Sequence, residues 1–351
     1  MPFQNTYPGF LYRQFFLTPA ALPSTLSLRG KAGMVTGSNT GLGFHASAQL
    51  LDAGLSRLIL AVRDVSKGEA ARRKLLASLH STFREKTPVV EVWALDLGSY
   101  ASITRFAQRV KNTKDLRLDF AILNAGVAKF EHELNNSTQH EVCIQTNWLS
   151  TALLAMLLVP ILQSQYAAAR EHVSPPVLSI VGSETAAWAK FNEAKVATRQ
   201  NISLLRALDD AKNFDSNDRY YCSKLLLQCF FMEFVVYLSS PSGGANQVVV
   251  NMVNPGFCYG SELHREANGA FGMILGVMKR MIGRSTPVGA RTLAHAAVVA
   301  SSETHGKYLS DERIVVFADY VHTQQGLAMR KRLWKEMMEE FQGAGDVEKI
   351  M

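Results

Sequence analysis

The chain has 351 residues, and 47% of them are apolar, which is enough for a globular core. Its formal net charge is +7, but the basic residues are scattered and form no stripe interleaved with aromatic residues. The composition therefore argues against nucleic acid as a partner and leaves only a mild attraction for anionic ligands.

The cysteines and the first residues indicate where the protein works. Cys143, Cys222, Cys229 and Cys258 form no CxxC pair and no cluster with histidine. This spacing fits a reducing, cytoplasmic compartment and argues against a metal site. The chain has no charged start leading into a long apolar run, and no stretch of about 18 apolar residues. We therefore expect neither a signal peptide nor a transmembrane segment.

Residues 1–28 form a segment that differs from the rest of the chain. It contains the stretch "PGFLYRQFFLTPAALPSTL", which is rich in aromatic residues and interrupted by prolines. We interpret it as an N-terminal arm packed on the body of the protein. A contact with a membrane surface or with a partner is the alternative.

Strand and helix signals alternate after the arm. The predicted strands lie at 32–36, 57–62, 89–95, 119–124, 176–182, 247–253 and 313–318, and the predicted helices at 42–53, 65–79, 99–111, 138–163, 218–238 and 286–301. This alternation predicts an α/β fold, with one doubly wound parallel sheet covered by helices on both faces. We expect a single domain over residues 29–325, followed by a charged, amphipathic C-terminal helix within 326–351.

A glycine-rich turn joins the first strand to the first helix. Its sequence, "TGSNTGLG", covers residues 36–43 with the spacing Gly-x3-Gly-x-Gly. Glycines let the backbone approach a pyrophosphate, and the helix N-terminus offers free N–H groups. The pattern predicts a dinucleotide-binding turn, and a plain turn is the alternative. The candidate residues are Gly37, Ser38, Asn39, Thr40, Gly41, Leu42 and Gly43.

Four further motifs follow in order: "DL" at 96–97, "NAG" at 124–126, YxxxK at 220–224 and "NPG" at 254–256. With the glycine turn they resemble the short-chain dehydrogenase/reductase superfamily over roughly residues 30–320. The stretches "FLYRQFF", "VRDVSKGEAA" and "RYYCSKLLL" resemble a fungal subgroup related to retinol dehydrogenase-like members. The resemblance implies a Rossmann-type fold and a nicotinamide cofactor, and many such fungal enzymes tailor secondary metabolites.

The end of the second predicted strand bears on the choice of cofactor. In related sequences the acid that binds the ribose 2′-hydroxyl would fall at Val62, which cannot accept a hydrogen bond. Arg63 follows directly and Lys67 lies one turn further on, so both can pair with a 2′-phosphate. NADP(H) is therefore the expected cofactor. One alternative is that Asp64 binds the ribose, which would favour NAD. Another is that Arg63 is only a solvated charge at the end of the strand.

The resemblance also assigns cofactor contacts to three other strand ends. It places Asp96, with Leu97, near the adenine, although a role of Asp96 as N-cap of the helix 99–111 is equally open. It places Asn124, Ala125 and Gly126 on the cofactor side, and Asn254, Pro255 and Gly256 beside the nicotinamide. Ordinary strand-ending turns are the alternative for both triplets. Ser261 is a looser candidate for a hydroxyl near the carboxamide.

Tyr220 and Lys224 are the candidate acid–base pair. A free phenol has a pKa of about 10, and a nearby cation favours the phenolate. The four-residue spacing puts both side chains on one helix face, so we expect Lys224 to lower the pKa of Tyr220. Tyr221 competes on spacing, but the resemblance assigns the role to Tyr220. A simple surface pair is the alternative.

Ser183 is the candidate hydroxyl for holding a carbonyl oxygen, because it ends the strand "LSIVG". Ser179, Thr185 and a simple capping role are the alternatives. The interval from Ser183 to Tyr220 is 220 − 183 = 37 residues, longer than in relatives. It indicates an insertion at roughly 188–217, which we expect to form part of the substrate wall.

Asn147, in "CIQTNWLST", matches the asparagine of the family's proton relay. A helix-kink residue hydrogen-bonded to the backbone is the alternative.

Residues 257–285 match a mobile lid over the substrate in relatives. The methionines and aromatic residues of this segment suggest a bulky, largely apolar substrate, although a plain core helix would read the same way. The resemblance thus implies an NADPH-dependent reduction of a ketone or aldehyde. The reverse oxidation, other chemistry at the same site and a non-catalytic NADP(H) sensor are the alternatives. A hydrolase is disfavoured, because no G-x-S-x-G motif occurs.

Relatives often form homodimers through helices equivalent to 138–163 and 218–238. The arm and the insertion could block that pairing and leave a monomer.

Overall fold

The computed structural model describes residues 2–79, 87–169, 174–240, 247–264, 269–300 and 302–343. For residues 264 and 269–275 it describes the backbone alone.

A mostly parallel sheet of eight strands forms the centre of the fold. Its strands are β1 Ala32–Thr36, β2 Arg57–Val62, β3 Val89–Ala94, β4 Phe120–Leu123, β5 Val177–Val181, β6 Val249–Asn254, β9 Tyr308–Ser310 and β10 Arg313–Val315, while β7 Cys258–Tyr259 and β8 Arg284–Ser285 pair separately. The order across the sheet is β10-β9-β6-β5-β4-β1-β2-β3. Because β1 lies between β2 and β4, the order reverses there, and such a switch point is where open α/β sheets bind ligands.

The helices cover both faces of this sheet. They are α1 Tyr7–Phe16, α2 Gly41–Asp52, α3 Val65–Ser78, α4 Tyr100–Asn112, α5 Val142–Ile144, α6 Thr151–Ala167, α7 Asn192–Gln200, α8 Leu204–Asp209, α9 Arg219–Leu238, α10 Gly269–Ile282, α11 Thr286–Val298 and α12 Gln324–Gly343. One core packs α2, α3 and α11 on one face through Leu50, Leu75 and Leu293. The other core packs α4, α6, α9 and α12 on the opposite face. The predicted fold class is confirmed.

The end of the sheet differs from the prediction. The last parallel strand is β9, whose Tyr308 pairs with Met252 of β6, and it was not predicted. The predicted strand at 313–318 is shorter, covers only β10 and runs antiparallel to β9. Asp311 and Glu312 between them both have positive φ, at 49° and 62°, which is the backbone of a tight hairpin turn. A chain that reverses in two residues cannot add a parallel strand.

The helix predicted at 138–163 begins later and is interrupted. It starts at Val142, where the carboxylate of Glu141 accepts hydrogen bonds from the backbone N–H groups of Cys143 and Ile144. A π-helical turn over Gln145–Ser150 separates α5 from α6. Such turns are rare and often lie at functional sites.

Two helical segments, Val142–Ala167 and Arg219–Leu238, are long and apolar enough to cross a bilayer by length and composition. However, 89% and 67% of their most apolar windows are buried inside the fold. Core helices of soluble proteins pass the same test, so this is weak evidence for a membrane span.

The predicted insertion contains two helices, α7 and α8. Asp209 of α8 accepts a hydrogen bond from the backbone of Glu141 and pairs with His140 at 2.8 Å. Glu336 of α12 accepts from the backbone of Leu204. The insertion therefore joins the start of α5 to the C-terminal helix.

Candidate active site

A cavity of about 390 Å³ lies at the carboxyl ends of the central parallel strands. It brings together most of the residues predicted from the sequence. Those that line it are Gly37, Asn39, Thr40, Gly41, Leu42, Asn124, Ala125, Gly126, Ser183, Tyr220, Lys224, Pro255, Gly256 and Ser261. Ser38, Gly43, Asn147 and Asn254 do not line it. Arg63, Asp96 and Leu97 lie at neighbouring strand ends, and Lys67 lies in the first turn of α3.

The glycine turn has the geometry that a pyrophosphate cradle needs. Gly37 and Gly41 have φ values of +63° and +58°, which side chains disfavour. A Cβ on Gly43 would lie 2.5 Å from the carbonyl oxygen of Gly37, so only glycine lets α2 start this close to the turn. The N-terminus of α2 then faces the cavity at Gly41 and Leu42. The residues present therefore fit a dinucleotide phosphate.

Thr36, which the sequence reasoning did not single out, joins this turn to the next strand end. Its hydroxyl accepts hydrogen bonds from the backbone N–H groups of Asn124 and Ala125, both at 2.9 Å. The side chain of Asn124 donates back to the Thr36 carbonyl. The position of this threonine directly before the first glycine of the turn is the sequence feature that could have identified it.

The end of β2 exposes the side chains that could read the adenosine ribose. Arg63 and Lys67 are both solvent-exposed there. Asp64 instead caps α3, and its Oδ1 accepts a hydrogen bond from the Lys67 backbone at 3.1 Å. One carboxylate oxygen of Asp64 is therefore engaged locally.

Asp96 follows β3 and accepts a hydrogen bond from the backbone of Gly98 through Oδ1 at 2.8 Å. The N-cap of α4 is Ser99, so the suggested capping role of Asp96 is wrong. The chain needs two more residues after Asp96 to turn into the helix. The carbonyl of Leu97 accepts a hydrogen bond from Ser150 at the end of the π-helical turn.

Tyr220 stands at the start of α9 and is partly exposed, on the cavity. Burial raises the pKa of its phenol above the usual value, and a hydrogen bond with Ser183 opposes that rise. The phenol is therefore protonated near neutral pH, as a proton donor should be.

Lys224 is buried one turn along α9. Its Nζ lies 5.9 Å from the centre of the Tyr220 ring and donates to the carbonyl of Val181 at 2.9 Å. Burial lowers the pKa of the ammonium to about 8. The burial of the phenol has the larger effect on Tyr220, so the predicted lowering of the Tyr220 pKa by Lys224 is not seen in this structure.

Ser183 follows β5 and begins a 3₁₀ turn over Glu184–Trp188. Its Oγ accepts from the backbone of Thr185 at 3.3 Å and lies 2.9 Å from the Thr185 hydroxyl. Both the capping role and the contact with Tyr220 are therefore present. Ser179 is fully buried within β5 and does not line the cavity.

Asn147 lies in the π-helical turn and is almost fully buried. Its amide accepts from and donates to the backbone of Val127, both at 2.8 Å, and donates to Ser223 at 2.9 Å. Ser223, another residue missed from the sequence, donates to the carbonyl of Tyr220 at 2.7 Å. Asn147 thus connects the strand end near Gly126 to the helix of Tyr220.

One side of the cavity is aromatic, and part of it comes from the arm. Tyr7 and Phe10 of α1 line it together with Trp188, Tyr221 and Phe257. The arm residues were not predicted as site residues, because no motif marks them. The structure describes all of the predicted insertion 188–217, and of these residues Trp188 alone lines the cavity.

The predicted lid contributes Leu263, Met278 and Ile282 to the cavity lining. Val277 and Met281 of α10 are 60% and 73% exposed, so a plain core helix does not describe this segment. The side chains of Phe271, Met273, Ile274 and Leu275, on which the apolar substrate was also argued, lie outside the described residues.

The model of the short chain dehydrogenase family matches residues 31–170. This stretch covers the glycine turn and the "NAG" strand end, and it stops before Ser183.

Curated fungal relatives resemble nearly the whole chain. The short chain dehydrogenase/reductase mfmJ of Annulohypoxylon moriforme is 40% identical, over 96% of this chain and 92% of its own. The short-chain dehydrogenase fogG of Aspergillus ruber is 39% identical, over 95% of this chain and 92% of its own.

Solved structures share the fold at low sequence identity. An uncharacterised protein from Mycobacterium paratuberculosis has a TM-score of 0.62 at 21% identity, covering 92% of this chain and 97% of its own. The Pseudomonas aeruginosa RhlG/NADP active-site complex has a TM-score of 0.54 at 21% identity, covering 81% and 96%. A 3-ketoacyl-(acyl-carrier-protein) reductase from Brucella melitensis, complexed with NADH, has a TM-score of 0.54 at 16% identity, covering 81% and 97%. These likenesses bear on the fold alone.

Proposed function

Because the chain belongs to the short-chain dehydrogenase/reductase family and is an oxidoreductase of its fungal group, we propose that it reduces a ketone or aldehyde with NADPH. The observation that carries this proposal is a single cavity lined by both the glycine turn and the three candidate catalytic side chains, Ser183, Tyr220 and Lys224. A cofactor bound on the turn and a carbonyl held by Ser183 would share that space.

The chain supplies binding and proton transfer. The turn around Gly37 and Gly41 would hold the pyrophosphate, and the strand end at Asn124–Gly126 would border the nicotinamide half. When bound, the nicotinamide supplies the hydride. Ser183 donates a hydrogen bond to the carbonyl oxygen of the substrate, and Tyr220 donates the proton that neutralises it. Burial keeps the phenol of Tyr220 protonated near neutral pH, as a proton donor requires.

Lys224 and Asn147 support this proton donor. Lys224 places a positive charge beside the ring and would contact the ribose of a bound cofactor. Asn147 and Ser223 hold the first turn of α9 in position and provide buried polar groups along which a proton could be replaced.

The preference for NADPH is supported by the end of β2. Arg63 and Lys67 are exposed there and can pair with a 2′-phosphate, whereas Asp64 is engaged in capping α3. One structural neighbour is complexed with NADP and another with NADH, so the fold accommodates either cofactor.

The lining suggests the class of substrate. Beyond Ser183 the cavity is bordered by aromatic and aliphatic side chains, including Phe10, Trp188 and Met278. We therefore propose a bulky, largely apolar small molecule, such as an intermediate of fungal secondary metabolism. The four cysteines are buried free thiols, which supports a reducing, cytoplasmic compartment.

The proposal is tested by titrating the purified protein separately with NADPH and with NADH, with nicotinamide fluorescence as the readout of binding. We expect NADPH to bind at least about tenfold more tightly than NADH. Arg63→Ala should remove most of this difference in affinity, because a charged hydrogen bond contributes about 1.5–3 kcal/mol. Asp64→Asn should leave the preference unchanged. A preference for NADH that Asp64→Asn removes would instead assign the ribose contact to Asp64, and binding of neither cofactor would overturn the proposal.

A further inference from the structure

The N-terminal helix α1 forms one wall of the cavity. Phe10 is 5% exposed and packs edge-on against Trp188, with ring centres 5.4 Å apart, and against Phe257 at 6.2 Å. The indole N–H of Trp188 donates to the carbonyl of Asn5. The arm therefore forms part of the wall of the same cavity that the glycine turn lines.

The single charged residue of α1 points inward. Arg13 is 9% exposed, whereas Tyr12 and Phe16 on the outer face are 49% and 73% exposed. Inside, the guanidinium of Arg13 pairs with the carboxylate of Glu184, and both side chains are 11% exposed. Breaking such a buried pair leaves an uncompensated charge, so this contact specifies where α1 sits.

A second arginine, Arg284, connects the C-terminal end of α1 to the end of the predicted lid, residues 257–285. Arg284, directly after α10 in the strand β8, donates to the carbonyls of Arg13 at 3.1 Å and Leu17 at 3.3 Å. Its guanidinium also pairs with Asp311 at 2.5 Å, and the Nε of Arg13 lies 3.9 Å from that carboxylate. The arm, the lid and the β9–β10 hairpin thus meet at one buried carboxylate.

The network returns to the catalytic serine through the "NPG" turn. Asp311 accepts from Ser310, whose hydroxyl accepts from the side chain of Asn254, each at 3.1 Å. The side-chain oxygen Oδ1 of Asn254 accepts from the backbone N–H of Glu184 at 3.3 Å. Glu184 is therefore held at its backbone by Asn254 and at its side chain by Arg13, and it is the neighbour of Ser183.

We propose that α1 is part of the active site and that Arg13 is a positioning residue, which holds Ser183 in place through Glu184. This inference rests on the proposed function, because it treats Ser183 as the group that binds the carbonyl. Two consequences follow from one contact. Losing Arg13 should displace Ser183, which slows the reduction of any carbonyl. It should also loosen the aromatic wall, which weakens the binding of bulky substrates only.

The test compares Arg13→Met with a matched control, Arg330→Met. Arg330 pairs with Glu233 at 2.8 Å, and their side chains are 9% and 14% exposed, so the control removes an equally buried pair away from the cavity. Kinetics with NADPH are measured on a small carbonyl, diacetyl, and a bulky one, phenanthrenequinone. Hydrogen–deuterium exchange of the segment 183–188 is measured in parallel without any substrate.

For Arg13→Met we expect kcat on diacetyl to fall about tenfold, the KM for phenanthrenequinone to rise about tenfold, and exchange of 183–188 to accelerate by a similar factor. Arg330→Met should lower the unfolding temperature comparably and leave all three within about twofold. Adding Glu184→Gln to Arg13→Met should recover stability but not kcat, because it removes the unpaired charge without restoring the contact.

Unchanged exchange of 183–188 in Arg13→Met, or the same kinetic changes in Arg330→Met, would overturn the inference. A wild-type protein that reduces neither carbonyl would count against the proposed function, and the exchange of 183–188 would still decide the role of Arg13.

Discussion

Two adjacent tyrosines at the start of α9 have different surroundings. Tyr220 shares a hydrogen bond with Ser183, whereas the ring of Tyr221 packs edge-on against Trp188 at 6.1 Å. Both line the cavity, so exposure does not distinguish them. The contact with Ser183 favours Tyr220 as the proton donor.

Replacing Tyr220 by Phe should lower kcat by about 10²–10⁴, because the ring remains but the transferable proton is lost. The dissociation constant for NADPH should stay within about threefold. Steady-state kinetics and a fluorescence titration check both values. Tyr221→Phe is the matched control and should retain kcat within about threefold. Equal losses in the two variants would remove Tyr220 from its role.

Lys224 should make stability depend on pH in an unusual direction. Its folded pKa is about 8, below the 10.5 of a free lysine, so the folded state binds this proton less well than the unfolded state. The cost of burying the charge is fully present below pH 8 and is relieved as the pH rises toward 10.5. Relative to Lys224→Met, the wild type should gain up to about 3 kcal/mol over that range in urea unfolding. A difference between the two proteins that does not change with pH would contradict the assignment.

At the scale of elements, a histidine joins the insertion to the C-terminal helix. His140 contacts Asp209 of α8 at 2.8 Å and Glu340 of α12 at 3.1 Å. Burial alone would lower the pKa of His140, but the hydrogen bonds and charges of these two carboxylates outweigh it and raise the pKa to about 9.

His140→Gln should therefore destabilise the protein most at low pH. The stabilisation by a raised pKa is fully present below the unfolded value of 6.5 and is lost as the pH rises through about 9. The free energy of unfolding should differ by up to about 3 kcal/mol near pH 6.5 and by little above pH 9. This direction is opposite to that for Lys224. A gap that widens with pH would show that His140 is neutral in the folded protein.

The parallel strands could be predicted closely because their signals are local. The observed β1 and β2 have the predicted limits, since each is a short apolar run buried on both faces. β9 was missed because it is only three residues long and its hairpin partner carries the more apolar sequence. The helix of the arm was missed because its outer face is aromatic and its one charge is buried, which reverses the usual amphipathic pattern.

Some contacts of the candidate site could also be predicted from local sequence, and others could not. The glycine turn, Tyr220 and Lys224 could be placed from spacing, since helix geometry and strand ends determine those contacts. The pairing of Arg13 with Glu184 joins residues 171 positions apart and depends on the tertiary fold. No local pattern contains that information.

At the scale of the whole molecule, α12 packs on α9, which is one of the two helices through which the family resemblance implies pairing of chains. Trp334 of α12 stacks on Phe230 at 6.1 Å and contacts Tyr237 at 5.6 Å, while Arg330 pairs with Glu233. Part of the outer surface of α9 is thus already covered within one chain, although Val236 is still 61% exposed.

We therefore expect a monomer. Light scattering coupled to size-exclusion chromatography should give a mass near the 38.7 kDa of one chain at micromolar protein. A stable mass of twice that value would mean that another face pairs, and Trp334→Ala should then leave the dimer intact.

The arm also bears on how such an enzyme can diversify. The match to the family model begins at residue 31, so α1 lies outside the matched stretch although it lines the cavity. Substitutions at Tyr7 or Phe10 can therefore reshape the cavity for a new compound and leave the nucleotide turn and the proton donor intact, whereas the proposed role of Arg13 connects that residue to the chemistry. The aromatic residues of the arm are thus a place where selection can act on substrate range, as long as Arg13 is retained.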